Sequence, residues 1–281
     1  LQADIIFPRR PEHGNLLYAS ILDVTSSLFG WHTPADPDPT STDLTWETPA
    51  NDWGLQVYTR RDFTDYSEII RSKKDSNDAQ FIVADARGNI ILSSSVVHNL
   101  YDNSRWNVSL NIRPSAYPFA ERVTGAENGT YAIDLYAVTS ELGNKQQSIS
   151  ATATVPYATG SQALMTSKRV YVGADRTNHS GTYAYPTDIK VSSVRAWNKQ
   201  LTTAEVDAHS LEADSFGAEH PYKNTQALQV SSSGGHVPEI ETLILNWDFK
   251  TAAATDVSGR FTVQDFSAGL ASGSYEGSYQ G

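Results

Sequence analysis

The chain has 281 residues, of which 39% are hydrophobic and 10% aromatic, which is enough apolar material for one large domain or two modest ones. Its formal net charge is -11 and its pI is about 5.0. This balance argues against nucleic acid as a partner, because phosphate binding requires clustered lysine and arginine. The absence of cysteine excludes disulfides, thiolate metal sites and a cysteine nucleophile. No stretch approaches the roughly 20 apolar residues of a membrane-spanning helix, so we expect no membrane partner.

The N-terminal part of the chain predicts extended structure interrupted by a long loop. Residues 1–15 contain prolines that disfavour a helix, and we expect them to form an extended lead-in segment. The main domain is expected over 16–241, beginning with a strand at 16–30. Prolines among aspartate, threonine and serine predict a loop at 31–52.

Strand patterns follow one another closely along the rest of the domain. The most regular alternation lies at 106–114, with apolar and polar residues on opposite faces: Trp106, Val108, Leu110 and Ile112 against Asn107, Ser109, Asn111 and Arg113. Similar patterns predict strands at 54–60, 80–85, 90–96, 130–143, 144–156, 168–174 and 188–198. Roughly nine to eleven strands at this spacing are typical of an all-β sandwich.

One short helix is predicted near 202–211. Thr202 is a good N-cap residue, and Glu205 three positions later completes a capping box. Beyond it, 242–281 predicts a strand pair that either packs on the sandwich or opens a following repeat. We expect its apolar side chains to be covered in either case, because an isolated two-stranded hairpin is marginally stable.

The C-terminal half of the predicted domain carries a family pattern. A strand ends in a glycine, and a loop with small residues follows it. An Asp-Ile strand then leads to an Arg-x-aromatic sequence, after which a leucine and a glutamate open a helix. In chain order these residues are Gly173, Ser180, Gly181, Asp188, Ile189, Arg195, Trp197, Leu201 and Glu205. Over 168–209 this order resembles laminin-G-like, concanavalin-A-like jelly rolls. The resemblance implies an all-β, concanavalin-A-like (laminin-G-like) β-sandwich jelly roll with one short helix.

A second resemblance concerns the whole chain. The segments 27–30, 105–114, 171–178 and 245–249 are similar to parts of very large virion structural proteins of marine tailed bacteriophages. This implies a non-catalytic structural or recognition domain of a tail, fibre or capsid-surface protein. We then expect a virion location, both ends joined to a longer polypeptide, and other copies or other virion proteins as partners, with host attachment as a further role.

The sequence does not predict an enzyme. Glycoside hydrolases of the jelly-roll type would resemble this fold and place three carboxylates on one strand as Glu-x-Asp-x-Glu. No such triplet exists, and the nearest pairs, Asp36 with Asp38 and Glu239 with Glu241, lie beside prolines. The seven histidines form no HExxH or His-x-His motif, and no GxSxG sequence is present. A hydrolase is therefore the least favoured alternative.

Calcium is the one metal that the sequence leaves open, and no other cofactor is expected. Jelly rolls of this family often bind calcium at a sheet edge through Asp, Asn and backbone oxygens. The candidates are Asp102 with Asn103 and Asp175 with Asn178. The alternative is that these residues only build turns, which Asp and Asn favour.

Sugar binding by a lectin-type module, with an extracellular location, is the other alternative. It requires aromatic side chains at loop tips. Five aromatic residues lie in loop-like sequence: Trp31, Trp46, Trp53, Tyr183 and Tyr185. They predict contact with glycans or with a protein partner, or packing beneath a loop. Trp106 and Trp197 lie in strand patterns and are expected in the core.

Overall fold

A computed structural model gives the fold for the described part of the chain. That part comprises residues 1–9, 25–32, 54–61, 76–85, 88–116, 129–165, 168–173, 175–176, 183–184, 189–211, 242–249, 261–263, 265, 267 and 277–279. Residues 16–24 of the strand predicted at 16–30, and most of the loop predicted at 31–52, lie outside these residues.

Two antiparallel sheets dominate the structure. The larger has the order β13-β12-β1-β6-β7-β8, with strands Gln2–Ile6 (β1), Arg105–Pro114 (β6), Thr130–Glu141 (β7), Asn144–Pro156 (β8), Lys190–Trp197 (β12) and Leu243–Asp248 (β13). The smaller has the order β5-β4-β3-β2-β9, with strands Thr25–His32 (β2), Gly54–Arg61 (β3), Ala79–Asp85 (β4), Ile90–Ser93 (β5) and Arg169–Val172 (β9). Two further strand pairs form separate two-stranded sheets: Asp175–Arg176 (β10) with Tyr183–Ala184 (β11), and Phe261–Val263 (β14) with Gly277–Tyr279 (β15).

The core lies between the two sheets, which confirms the prediction of an all-β sandwich. Trp106, Val108 and Leu110 of β6 are buried in it, as their alternation predicts. Phe7 packs edge-on against Phe81 of the smaller sheet, with ring centroids 6.1 Å apart. Because aromatic rings bury large apolar areas, contacts of this kind across the layers hold the sheets together. The jelly-roll identity stays a prediction.

The first strand differs from the sequence expectation of a lead-in segment over 1–15. Gln2–Ile6 is extended, but it lies inside the larger sheet, paired antiparallel with β12 on one side and β6 on the other. Ala3 and Ile5 face the core. Gln2 and Asp4 point to the other face and are also buried, so the strand lacks the hydrophobic run that usually marks a central position.

The C-terminal segment adds a strand to the larger sheet. β13 pairs with β12 antiparallel, with Trp247 opposite Val194. Trp247 and Phe249 are partly buried against the main core. Residues 243–248 therefore pack on the sandwich, while the arrangement of 242–281 as a whole stays a prediction.

The structure has two helices among its described residues, whereas the sequence predicted one. The predicted helix is α2, Thr203–Leu211. The other is α1, Tyr157–Met165, which directly follows Pro156 at the end of β8. The prediction missed α1 because Gly160 interrupts a short segment of weak helix propensity. Gly160 is required by contact, since a Cβ there would lie 2.3 Å from the Tyr131 ring. Neither helix is long and apolar enough to cross a membrane.

The predicted capping box is formed at the start of α2. The Glu205 backbone N–H donates to Thr202 Oγ1 at 3.2 Å, and the Thr202 backbone N–H donates to Glu205 Oε2 at 2.7 Å. Lys199 donates to Glu205 Oε1 at 2.8 Å. Burial opposes ionisation of Glu205, but these hydrogen bonds outweigh it and lower the pKa of the carboxyl group.

Loss of the N-cap should loosen α2. We expect Thr202→Ala to reduce the free energy of unfolding by about 1 kcal/mol, because it removes the hydroxyl that accepts from the Glu205 N–H. Thermal unfolding should show Tm lowered by about 2–4 °C for a domain of this size. The neighbouring exposed Thr203→Ala is the control and should change Tm little; an equal drop in both variants would contradict a capping role.

Candidate functional site

The predicted calcium residues that can be described build a turn. Asp102 Oδ1 accepts from the Ser104 N–H at 2.8 Å, and Asn103 Oδ1 accepts from the Arg9 N–H at 3.0 Å. Asn103 has φ 73°, and its N–H donates to the Phe7 carbonyl at 2.9 Å. These oxygens are committed to backbone N–H groups, which is the turn-building role that the sequence left as the alternative.

The second calcium pair is only partly described. Asp175 lies in β10, opposite Ala184, and Asn178 lies outside the described residues. Within the part of the chain that the structure describes, no group of three or more His, Asp or Glu side chains comes together to hold a metal ion. Calcium binding at these positions stays a prediction.

Among the five candidate aromatics, Trp31 is placed differently from the loop position that the sequence predicted. Strand β2 continues past Gly30 to His32, and the Trp31 side chain is 6% exposed within the core. It pairs with Leu55 of β3 on one side and with Val170 of β9 on the other, and these apolar neighbours explain the burial. Tyr183 lies in β11, whereas Trp46, Trp53 and Tyr185 lie outside the described residues. Trp106 and Trp197 are buried, as predicted.

The outer face of the larger sheet carries a buried set of polar side chains, here called the polar layer: Gln2, Asp4, Asn107, Ser193, Arg195, Trp197 and His209. At its centre Asp4 Oδ2 accepts from Ser193 Oγ at 2.8 Å and from Arg195 Nη1 at 3.2 Å. Asp4 Oδ1 accepts from Asn107 Nδ2 at 3.0 Å. The buried carboxylate therefore has a cation and two neutral donors, the arrangement that a buried charge requires.

Helix α2 contributes His209 to the polar layer. Gln2 Oε1 accepts from Trp197 Nε1 at 3.2 Å and from His209 at 3.0 Å, so Nδ1 of His209 carries a proton. The Trp197 and His209 rings are stacked with centroids 5.4 Å apart. Burial, and next the nearby Arg195 charge, lower the pKa of His209 to about 3, so the ring is neutral at pH 7. The layer locks α2 to the sheet.

A polar cluster at the rim joins α2 to the edge strand β8. Lys145 of β8 donates to the Tyr136 hydroxyl at 2.7 Å and to Asp207 Oδ2 at 2.9 Å, and the Tyr136 hydroxyl donates to Asp207 Oδ1 at 2.6 Å. The hydrogen bonds to Tyr136 and Asp207 raise the pKa of Lys145. The amine is therefore held as a cation, and it anchors the start of β8. A cationic amine is not a nucleophile, because only an uncharged amine is nucleophilic.

Strand β8 is the longest described strand of the sandwich and is mostly exposed. It has 13 residues, of which 9 are exposed and only Val155 is buried. On one side it pairs with β7 along its whole length; no described strand pairs with its other side. Ile149, Ala151 and Ala153 pack partly on the core, whereas Thr152 Oγ1 on the outer face donates to Asp134 at 2.8 Å. The strand is thus held firmly while one row of its backbone groups faces outward.

Exposed apolar side chains lie on the turn before β8 and on elements that contact this strand. Leu142, in the tight turn between β7 and β8, is 94% exposed and has φ 50°, followed by Gly143 with φ 77°. Such turns favour Asn or Gly, so a leucine in this conformation is unusual. Leu164 of α1 is 45% exposed and Ile90 of β5 is 54% exposed, and both elements contact β8.

Sequence reasoning identified β8 as a strand but missed its position at an edge. The available signal was composition: between Gln146 and Val155 the strand has small and polar residues, no charge and a weak apolar row. Comparison of the chain with known protein families, with characterised proteins and with solved structures found no match.

Proposed function

We propose that this chain is a non-catalytic structural and recognition domain of a large phage virion protein, and that it makes contacts between subunits of a tail, fibre or capsid surface. The observation that carries the proposal is the long, exposed and firmly anchored β8 edge. Exposed edges of this length template pairing with another chain, and soluble monomers usually shorten, charge or cover them. An edge that no described strand covers over its 13 residues suits a protein whose surroundings supply the partner.

The use of polar groups elsewhere supports the same proposal. In the polar layer, the buried Asp4 carboxylate accepts a hydrogen bond from the buried Arg195 guanidinium. At the rim, Lys145 is held as a cation by Tyr136 and Asp207. These charges hold the sheet and the helix together, which suits a rigid scaffold. The resemblance to virion proteins favours a location in the virion, and host attachment is the corresponding recognition role.

The proposal is tested on intact particles. Phage particles purified on a density gradient should contain peptides of this chain at a fixed ratio to the major capsid protein, and antibodies raised against the folded chain should label them at repeated positions. Recovery of the chain only in the soluble fraction of lysates would contradict a virion role. A glycan array, with and without calcium, tests the lectin alternative on the same folded sample.

A further inference from the structure

We infer that β8 is completed by β8 of a second copy of this chain, antiparallel across a two-fold axis near Ser150, so that the larger sheets of two copies become one continuous sheet. The inference rests on the proposed function, since it names the partner of the same edge. It predicts a specific register that cysteine cross-linking can read.

The geometry of the four sheet edges favours a strand as the occupant. β5 and β9, at the edges of the smaller sheet, have 4 residues each. β13, at the far edge of the larger sheet, has 6 residues, and Asp265 covers part of it by accepting from the Asn246 N–H at 2.9 Å. β8 alone among these edges is both long and without a described covering group. Its outward N–H and C=O groups are best satisfied by another strand.

The placement of charge favours an antiparallel second copy. Lys145 is the only charged residue in β8. Parallel pairing in register would bring two Lys145 side chains side by side, which is unfavourable. Antiparallel pairing centred on Ser150 instead places Asn144 opposite Pro156 and separates the two lysines by about ten residues, or about 34 Å at the rise of an extended strand.

The apolar residues at the ends of the edge fit the same arrangement. With the axis near Ser150, the turn containing Leu142 continues past the partner's Pro156 and reaches the start of its α1. Each copy then brings its exposed Leu142 to the helix that carries the exposed Leu164 of the other. Contact between them would explain why a leucine occupies a turn position that favours Asn or Gly.

The size of the contact indicates an association that depends on local concentration. A strand of 13 residues is about 44 Å long, and a strip roughly 10 Å thick buries on the order of 900 Å² over both copies. This lies below the roughly 1,200–2,000 Å² of a stable complex between free proteins. Copies that are fixed beside one another in a particle would pair readily, because the second contact is then intramolecular.

Single cysteines test the pairing, because the chain has none of its own. Ser148→Cys, Ser150→Cys and Thr152→Cys each place one thiol on the exposed face of β8. Directly opposed residues of antiparallel strands have Cα atoms about 4.5–5.5 Å apart, which a disulfide can bridge. We expect mild oxidation of the concentrated full chain to give several-fold more covalent dimer at Ser150 than at the other two positions. Ile244→Cys, exposed on the opposite edge strand, is the control.

If all three β8 variants form no more dimer than Ile244→Cys, the pairing is wrong. A maximum at Ser148 or Thr152 also overturns the proposed axis. This outcome is separable from that of the particle experiment. If particles contain the chain but no cross-linking occurs, the pairing is wrong and the virion role stands. If cross-linking occurs at Ser150 but particles lack the chain, the pairing stands and the virion role is wrong.

A second variant separates association from folding. Leu142→Asn removes the backbone strain of a leucine in the left-handed conformation, so it should raise Tm by about 2–4 °C. In the Ser150→Cys background it should nevertheless lower the dimer yield several-fold, because the partner's α1 loses its apolar contact. An unchanged dimer yield would show that Leu142 does not contribute to the interface and would overturn the placement of the axis beside α1.

Discussion

Replacing Asp4 with alanine should lower the free energy of unfolding by about 3–5 kcal/mol, the range for removing one partner of a buried ion pair. The side chains of Arg195 and Asp4 are only 4% and 0% exposed. In the variant, the Arg195 cation stays buried, and Ser193 and Asn107 lose the carboxylate that accepts their hydrogen bonds. Urea unfolding, monitored by tryptophan fluorescence, measures the change.

Asp207→Ala is the matched control, because Asp207 also pairs with a cation across two elements, but in an exposed setting. The side chains of Lys145 and Asp207 are 42% and 33% exposed, so solvent screens the pair and its loss should cost at most about 1 kcal/mol. Adding Arg195→Met to Asp4→Ala should recover part of the stability by removing a buried charge that has lost its Asp4 partner. The interpretation fails if Asp4→Ala is no more destabilising than Asp207→Ala.

The sequence predicts those parts of the fold whose signals are local. The alternation around Trp106 places β6 correctly because a strand with one core face has period two. The capping box locates α2 because its hydrogen bonds join residues three apart. Both patterns can be read without knowing what lies opposite in the fold.

The parts that were missed depend on contacts distant in sequence. Gln2 and Asp4 do not indicate a central strand until Arg195 and His209, nearly 200 residues away, are placed beside them. The candidate site depends on β8 being the last strand of its sheet, and strand order is a property of the topology. Trp31 shows the same effect, because only its pairing with Leu55 reveals that β2 continues into the expected loop.

The polar layer should also make the fold sensitive to acid through His209. The pKa of the folded-state ring is lowered from 6.5 to about 3, chiefly by burial. The unfolded chain therefore binds a proton between pH 6.5 and about 3 that the folded chain does not, and stability falls as the pH decreases through this window. The contribution of this histidine is fully present above pH 6.5; at pH 4 roughly 3 kcal/mol of it should be lost, since one pH unit corresponds to about 1.4 kcal/mol.

His209→Gln isolates this contribution, because a glutamine amide can still donate to Gln2 Oε1 but does not titrate. Carboxylates titrate near pH 4 in both proteins, so the informative quantity is the difference between the two dependences of unfolding free energy on pH. Urea unfolding at pH 7, 5.5 and 4 should show that the variant, although less stable at pH 7, loses roughly 3 kcal/mol less than the wild type by pH 4. A His209→Gln protein that loses stability as steeply as the wild type would mean that the His209 ring is already protonated, or solvated, in the folded chain, and that it is not sealed within the polar layer.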